Sequence, residues 1–335
     1  MKIGHVDLDR EVLLIAEIGN NHEGDFSLAE RMINLAAEAG AQAVKLQTID
    51  PLKLVSATDP ARIAQLAKFS FSRQQHEALA RVAERAGTMF MSTPFYLESV
   101  SWLAELVPAF KIASGDNDFS PLLREVSSTG KPIVLSTGML GYAEVEHAVE
   151  TVQKVWSDRN IKPGLALLHC VSAYPAEPAD VNIGVIRSLR RYADAVGYSD
   201  HTLGTEVALL SVAAGARIVE KHFTINKQHS SFRDHQLSAD PEELCFLSQE
   251  IKRVAKIFGG TQKKAQESEK GVAAAARRSI VAARDLPIGH KLRLEDLEWL
   301  RPSGGLSPLA TDKVVGCELI EPIRKGDQID FKVLN

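Results

Sequence analysis

The chain has 335 residues, 45% of them hydrophobic and 24% charged; this is ordinary globular composition, too apolar for global disorder and long enough for two domains or one large barrel with an appendage. Lys and Arg number 39 against 43 Asp and Glu, a formal net charge of −4, which lacks the basic excess that binding a nucleic-acid backbone requires. Residues 1–10 hold no apolar signal core, no later stretch approaches about 18 uninterrupted apolar residues, and Cys170, Cys245 and Cys317 are scattered without a CxxC; a cytoplasmic protein with neither nucleic acid nor membrane as partner is expected.

In chain order, short β-branched runs alternate with segments of helical period. The runs fall at 12–18, 43–47, 88–91, 109–112, 132–135, 165–169, 195–197 and 217–220, and the clearest helical stripes at 28–39, 73–86, 144–156 and 241–258. About eight strand–helix pairs in some 260 residues predict an α/β protein with a (β/α)8 TIM barrel. A doubly wound sheet is the alternative, but it usually has fewer strands and a Gly-rich first turn. The predicted barrel covers 1–262, a polar, charged linker 263–277, and a small β-rich domain 278–335. That last segment has an internal echo, Leu286-x-x-Gly289-x-x-Leu292 against Ile323-x-x-Gly326-x-x-Ile329. At its size it buries little core by itself and would gain from docking on a partner surface.

Barrel active sites form at the C-terminal strand ends, and here almost every run closes in polar residues: Glu17; Lys45 and Gln47; Thr93; Lys111 and Ser114; Ser136; His169, then Ser172 and Tyr174; Ser199 and His201; Glu220 and His222. Buried parallel strands with a purely structural role would stay Val, Ile and Leu. Lys45 and Lys111 supply point charges and the hydroxyls an oxygen shell, a combination suited to a small ligand with phosphate and carboxylate groups. His201 and His222 close adjacent strands, where two imidazoles can share a divalent cation. Glu17 is placed to complete or orient the metal shell or to hold a substrate hydroxyl. His5, His76, His147 and His290 read as surface residues without a role.

Several segments together resemble one family: Ala16-Glu17-Ile18-Gly19-Asn20-Asn21-His22-Glu23-Gly24, Val44-Lys45-Leu46-Gln47-Thr48, Ser92-Thr93-Pro94-Phe95, Lys111-Ile112-Ala113-Ser114-Gly115-Asp116, Leu135-Ser136-Thr137-Gly138-Met139, Leu168-His169-Cys170, Gly197-Tyr198-Ser199-Asp200-His201-Thr202 and Glu220-Lys221-His222-Phe223-Thr224. The set resembles the sialic acid synthases, which condense phosphoenolpyruvate with an N-acetylated hexose to nine-carbon 2-keto-3-deoxy acids. Residues 277–335, with Arg301-Pro302-Ser303-Gly304-Gly305, resemble that family's C-terminal antifreeze-like (SAF) domain.

The resemblance implies that Lys45, Thr93, Lys111, Ser114, Ser136, Ser172, Tyr174 and Ser199 surround phosphoenolpyruvate. It implies further that His201 and His222 hold a divalent metal, usually manganese, with magnesium or cobalt as substitutes. Glu17, Gln47 and Asp234 would meet the sugar or a metal-bound water, and Arg301 would enter the barrel of a second subunit in a domain-swapped homodimer. Glu17, Lys45, Lys111, His201 and His222 are the implied catalytic set. One loop departs from the family pattern: Ser231-Phe232-Arg233-Asp234-His235 stands where Pro-Gly-Pro-Asp-His is usual, bringing Phe232 and Arg233 to the sugar side. Neuraminic, legionaminic and pseudaminic acid precursors all stay open as acceptors, as does another surface-polysaccharide sugar acid. The rivals are a Schiff-base aldolase using Lys45 or Lys111, a synthase for a phosphorylated pentose or tetrose, and a non-catalytic sugar-binding protein.

Overall fold

Eight parallel strands organise the larger unit of the computed structural model, which describes residues 1–260 and 262–335. They are β1 (Leu13–Gly19), β2 (Ala43–Thr48), β3 (Met89–Pro94), β4 (Phe110–Ile112), β5 (Ile133–Ser136), β6 (Leu165–His169), β7 (Ala195–Asp200) and β8 (Ile218–His222). Their order is β3-β2-β1-β8-β7-β6-β5-β4, every pair parallel, and the two end strands lie side by side to close the barrel. The expected runs match these strands, with β3, β7 and β8 reaching two or three residues further than their polar endings suggest. The reason is register: Glu220 and Lys221 still pair with Ser199 and Asp200, and His222 with Glu17. At a barrel mouth, hydrophilic side chains occupy ladder positions that a hydropathy pattern assigns to loops.

The strands' two-residue alternation sorts their side chains into two cores. Leu14, Ala16, Ile18, Val44 and Leu46 face outward into the layer shared with the helices. There, for example, the helix Phe26–Glu38 contributes Ala29, Met32, Ile33 and Ala36, spaced to one face, with Asp25 accepting from the Leu28 amide as its N-cap. Leu13, Ile15, Ala43, Met91, Ala109, Val134, Ala166, Leu168 and Ile218 form the barrel interior. A short hairpin, Lys2–Ile3 with Val6–Asp7, closes its lower end by adding Ile3, Val6 and Leu8 to that interior. The barrel is therefore dry and apolar below and polar only in its upper layer.

Chain contacts divide the protein into Met1–Gly259 and Gly260–Asn335. Within the stretch expected as linker, the Ala-rich segment Lys270–Ala276 is helical, and its Ala274 carbonyl accepts from the Ser303 amide at 3.0 Å. The second unit pairs Ser279–Ala282 antiparallel with Leu297–Leu300. Its internal echo is structural: Leu286 and Ile323 exchange backbone hydrogen bonds of 2.9 and 3.0 Å, and Leu286, Leu292, Ile323 and Ile329 share one small core. Gly289 and Gly326 each turn with positive φ, +78° and +85°, which explains why glycine recurs midway in both copies. Among the described residues, no helix is long and apolar enough to cross a membrane.

Gly197 marks a point of close packing inside the barrel. A Cβ there would lie 2.4 Å from the Ile218 carbonyl oxygen and 2.5 Å from Leu168 Cδ2. Gly197→Ala should cost about 1–3 kcal/mol of stability, read as a lowered urea midpoint at unchanged m-value; a variant as stable as wild type would contradict this packing.

Candidate active site

Where the interior side chains turn polar, four charges meet. Lys45 Nζ lies 2.8 Å from Glu17 Oε2 and 3.6 Å from Glu220 Oε2, while Lys111 Nζ lies 3.6 Å from Glu220 Oε1. All four side chains are only 3–6% exposed. They follow from the alternation: Glu17 sits two residues above Ile15, Lys45 above Ala43, Lys111 above Ala109 and Glu220 above Ile218, on the same faces as those interior residues. Neutral hydroxyls and amides complete the set. Lys111 donates to Ser136 Oγ at 2.7 Å, Ser199 Oγ donates to Glu220 at 2.9 Å, and Lys45 reaches Thr93 Oγ1 at 3.3 Å. Gln47 links Asn20 to Glu17 by bonds of 2.9 and 3.2 Å.

The two carboxylates are driven apart. Burial pushes Glu17 up to about 6 against the attraction of Lys45. Burial also works to raise Glu220, but Lys111 and Lys45, helped by Ser199, outweigh it and hold the group down at about 2. Burial works to lower Lys45, yet Glu17 and Glu220 together raise it; Lys111 ends below its usual range because burial prevails there. Two carboxyl groups with opposed environments are a common arrangement where one must hold a proton and the other a charge.

Above this floor stand His201 and His222, ring centroids 5.6 Å apart, with Tyr174 4.3 Å from His201. Burial lowers both imidazoles, His222 strongly, so they are neutral near pH 7. His201 Nδ1 lies 2.7 Å from the Val171 carbonyl; an acceptor oxygen there places the proton on Nδ1 and leaves Nε2 with a free lone pair. His222 Nδ1 is buried without a hydrogen-bond partner. Two neutral imidazoles, one oriented by a carbonyl and one with an unsatisfied nitrogen, suit a divalent cation. Among the described residues, no group of three or more His, Cys, Asp and Glu side chains is disposed to hold a metal; a cation held here would take two nitrogens from the protein and its further donors from ligand or solvent. Behind them, Lys221 forms a buried pair with Asp200 at 2.8 Å, and Asp200 also accepts from Thr202 Oγ1 at 2.8 Å, fixing the turn that carries His201.

These groups open into one cavity of about 880 Å³. On the β4–β7 side, Ser114, Ser172 and Cys170 crowd round Gly138: a Cβ there would meet their Oγ, Oγ and Sγ atoms at 2.4–2.8 Å. Asn117 clamps this turn by donating to the Ser136 and Gly138 carbonyls. On the β1–β3 side, extended by the loop after β8, the lining is aromatic and amide: Asn20, Gln47, Phe69, Phe95 and Phe232. Phe69 belongs to a helix, Pro60–Phe69, inserted after β2 and started by Asp59, whose carboxylate accepts from the Arg62 amide.

Of the residues expected from sequence, Glu17, Lys45, Gln47, Thr93, Lys111, Ser114, Ser136, Tyr174, Ser199, His201, His222, Phe232, Arg233 and Asp234 line the cavity. Ser172 is not among the lining residues; its buried, unpartnered hydroxyl lies against Gly138 instead. Arg301 is exposed and follows the strand Leu297–Leu300 of the second unit. His169 points away from the barrel, to the Val181 carbonyl. His76 is not a surface residue: it is fully buried, bonded to Thr48 Oγ1 and the Ser72 carbonyl at 3.0 Å each, because the capping turn at Ser72 aims it inward. Glu220, named from the sequence only as a polar strand ending without a role, joins both lysines; its spacing of two from His222 on one strand is the signal for that.

A parallel barrel that gathers lysines, carboxylates, hydroxyls and imidazoles at the C-terminal strand ends has the architecture of a barrel enzyme. The sequence matches the NeuB family over residues 32–263 and the SAF domain over 277–334, and the chain belongs to the NeuB family. It is 38% identical to the N,N'-diacetyllegionaminic acid synthase of Legionella pneumophila, covering 93% of this chain and 92% of that one. To the Campylobacter jejuni synthase of the same name it is 36% identical, covering 92% and 95%. The crystal structure of N-acetylneuraminic acid synthetase from Leptospira borgpetersenii, in complex with citrate, superposes with a TM-score of 0.76 at 34% identity, covering 81% of this chain and 94% of that one.

The raised Glu17 has a consequence for folding. Its carboxyl holds a proton more tightly folded than unfolded, so its contribution to stability is complete below pH 4.5 and is lost as pH rises through 6, about 2 kcal/mol in all. Glu17→Gln has no such loss. The difference in stability between variant and wild type should shift in the variant's favour by that order from pH 4.5 to neutrality, measured by urea unfolding; a pH-independent difference would contradict the assignment.

Proposed function

We propose that the protein condenses phosphoenolpyruvate with an acetamido hexose, forming a nine-carbon 2-keto-3-deoxy acid and releasing inorganic phosphate. The reading is carried by the buried Glu17–Lys45–Glu220–Lys111 cluster, which sets two lysines beside neutral hydroxyl donors in a dry barrel. A ligand with separate phosphate and carboxylate charges uses both ammonium groups, and few neutral sugars would. Lys45 and Lys111 bind these two anionic ends, while Ser114, Ser136, Ser199, Thr93 and Tyr174 furnish oxygen contacts; Ser172, expected among them, stands behind Gly138 and outside the cavity lining. His201 and His222 hold a divalent metal, manganese before magnesium or cobalt, which when bound acts as a Lewis acid on the acceptor's aldehyde.

The reaction joins C3 of phosphoenolpyruvate to the aldehyde carbon, whose oxygen keeps the C=O electron pair and takes up a proton to become a hydroxyl, and positive charge develops at C2. Water adds there, with Glu17 taking its proton; a carboxyl that titrates at about 6 is matched to that exchange near neutrality. The resulting tetrahedral centre collapses with cleavage of the C–O bond: the phosphate leaves with the bridging oxygen, the added hydroxyl passes its proton to the departing phosphate, and C2 becomes the ketone. Fixed lysines stabilise the departing charge without reorganising. Gln47 and Asp234 orient the sugar. Arg301 completes the acceptor site from the second subunit of a domain-swapped homodimer, in the cytoplasm.

Phosphate release from phosphoenolpyruvate should require an acetamido hexose and stop on chelation; release of no phosphate with any such sugar would overturn the reading. Lys111→Met should lower kcat/KM about a hundredfold. A desolvated Lys111 also suits a Schiff base, and a borohydride-stable adduct with pyruvate would favour an aldolase instead. Arg301→Ala and Lys111→Met subunits, each impaired alone, should regain activity when mixed, because a hybrid dimer carries one barrel with both residues. No recovery on mixing would place Arg301 in its own subunit or outside the site.

A further inference from the structure

The segment 223–238 after β8 supplies Ser231, Phe232, Arg233 and Asp234 to the cavity lining. It holds one short helical turn, Arg233–Leu237, so its position depends on contacts with other segments. Those contacts converge on the loop after β1. Asn21, fully buried, donates from Nδ2 to the Phe223 carbonyl at 2.8 Å and to Ser238 Oγ at 2.9 Å, tying down both ends of the segment at once. Ser238 Oγ extends the link by donating to the Asp234 carbonyl at 2.6 Å. Glu23 reaches the part in between: its Oε1 lies 3.0 Å from Nε2 of His235, whose side chain is fully buried.

The other nitrogen of His235 lies 2.6 Å from Thr224 Oγ1. One arrangement of a neutral ring satisfies both nitrogens: the Thr224 hydroxyl donates to Nδ1, and Nε2–H donates to the Glu23 carboxylate. Burial works to raise the Glu23 carboxyl, but hydrogen bonds from Ser230 and His235 outweigh it and hold the group below its usual range. Glu23 keeps this place against its backbone preference, with φ at +48°, in the left-handed region that a side chain disfavours; strain of this kind persists where the surroundings over-determine a residue's position. The same loop also seats the inserted helix. A Cβ on Gly24 would lie 1.9 Å from the Lys68 carbonyl oxygen, and Phe69 at the end of that helix meets Phe232 with ring centroids 5.3 Å apart. Glu23 and His235 thus belong to segments after β1 and β8, whereas Lys111 and its partner Ser136 belong to β4 and β5.

We propose that the Glu23–His235 hydrogen bond is a latch, and that His235 is a positioning residue: it holds the segment after β8 against the loop after β1 and so fixes Asp234 at the acceptor side of the cavity, without acting on the phosphoenolpyruvate side. The kinetic consequence of the latch rests on the condensation proposed above, whichever acetamido hexose is the acceptor. Its structural consequence, a segment 223–238 that opens when the bond is lost, does not.

The test uses the full-length protein and two readouts. The first, amide hydrogen exchange, needs no turnover. In His235→Ala the amides of 223–238 should exchange about tenfold faster or more, while the barrel strands keep their protection; unchanged exchange over 223–238 would overturn the latch whether or not the protein is a synthase. The second is phosphate release with manganese, phosphoenolpyruvate and, in separate assays, N-acetylmannosamine and its analogue with an acetamido group at the fourth carbon. His235→Ala should raise KM for the sugar about tenfold, since a misplacement of about 1 Å costs up to about a hundredfold, with KM for phosphoenolpyruvate unchanged. Glu23→Ala should do the same, and the double variant should be no worse than either single one. His235→Gln, whose amide nitrogen still reaches Glu23, should recover most of the loss; His235→Asn, which reaches only Thr224, should not. Losses that add in the double variant, or a parallel rise in both KM values, would overturn the latch and leave the condensation intact. Phosphate release with neither sugar would overturn the condensation, and the exchange result alone would then decide the latch.

Discussion

Two lysines and two glutamates sharing one desolvated space are the constraint around which the barrel is arranged. Removing an ion from water costs several kcal/mol even after relaxation, and attraction repays it only where partners are close and remaining lone pairs are satisfied. Here Lys45 lies beside both carboxylates and Lys111 beside Glu220, and Ser136, Ser199, Thr93 and Gln47 add hydrogen bonds, while Glu220 Oε2 is buried with no hydrogen bond beyond its ion pair. The cluster is neutral overall, so it can exist in a dry interior. It is also unevenly satisfied: Glu17 is pushed up and Glu220 held down. An isolated lysine at either strand end would lower its pKa or seek solvent instead.

This dryness is made from below. Ile3, Val6 and Leu8 of the N-terminal hairpin fill the lower interior with Leu13, Ile15 and Ile218, placing an apolar layer beneath the charges. Strand alternation then decides which residue reaches the site. On β8, Ile218, Glu220 and His222 follow one another up the inner face, whereas Lys221 between them turns outward to Asp200. Three consecutive residues thus take unrelated tasks: a charge on the floor, a brace under the turn that carries His201, and an imidazole at the mouth.

Sheet order separates the site into two regions. The strands from β4 to β7 bring hydroxyls, a thiol and the crowded turn at Gly138, while β1 to β3 and the loop after β8 bring amides and aromatic rings. The first region lies on strand ends, where position is dictated by the ladder. The second depends on inserted segments, the helix Pro60–Phe69 and the loop at Phe232, which can change without disturbing the barrel. Relatives within the NeuB family named for different sugar acids are consistent with a shared floor and variable walls.

The sequence by itself determined the eight strands and the parity of their polar endings, because each inward-facing residue is set by a local two-residue repeat. It also held the echo of Leu286 and Ile323, whose glycines meet a local demand for positive φ. Only the tertiary structure decided that Glu220 joins both lysines, that His76 is buried while His169 faces away from the barrel, and that Phe69, Phe95 and Phe232 form one wall. Those outcomes depend on distances between segments remote in the chain, and on how closely Gly24 lets a helix approach. Spacing along one strand says which face a side chain takes; which other strand's side chain it meets there is settled only when the barrel closes.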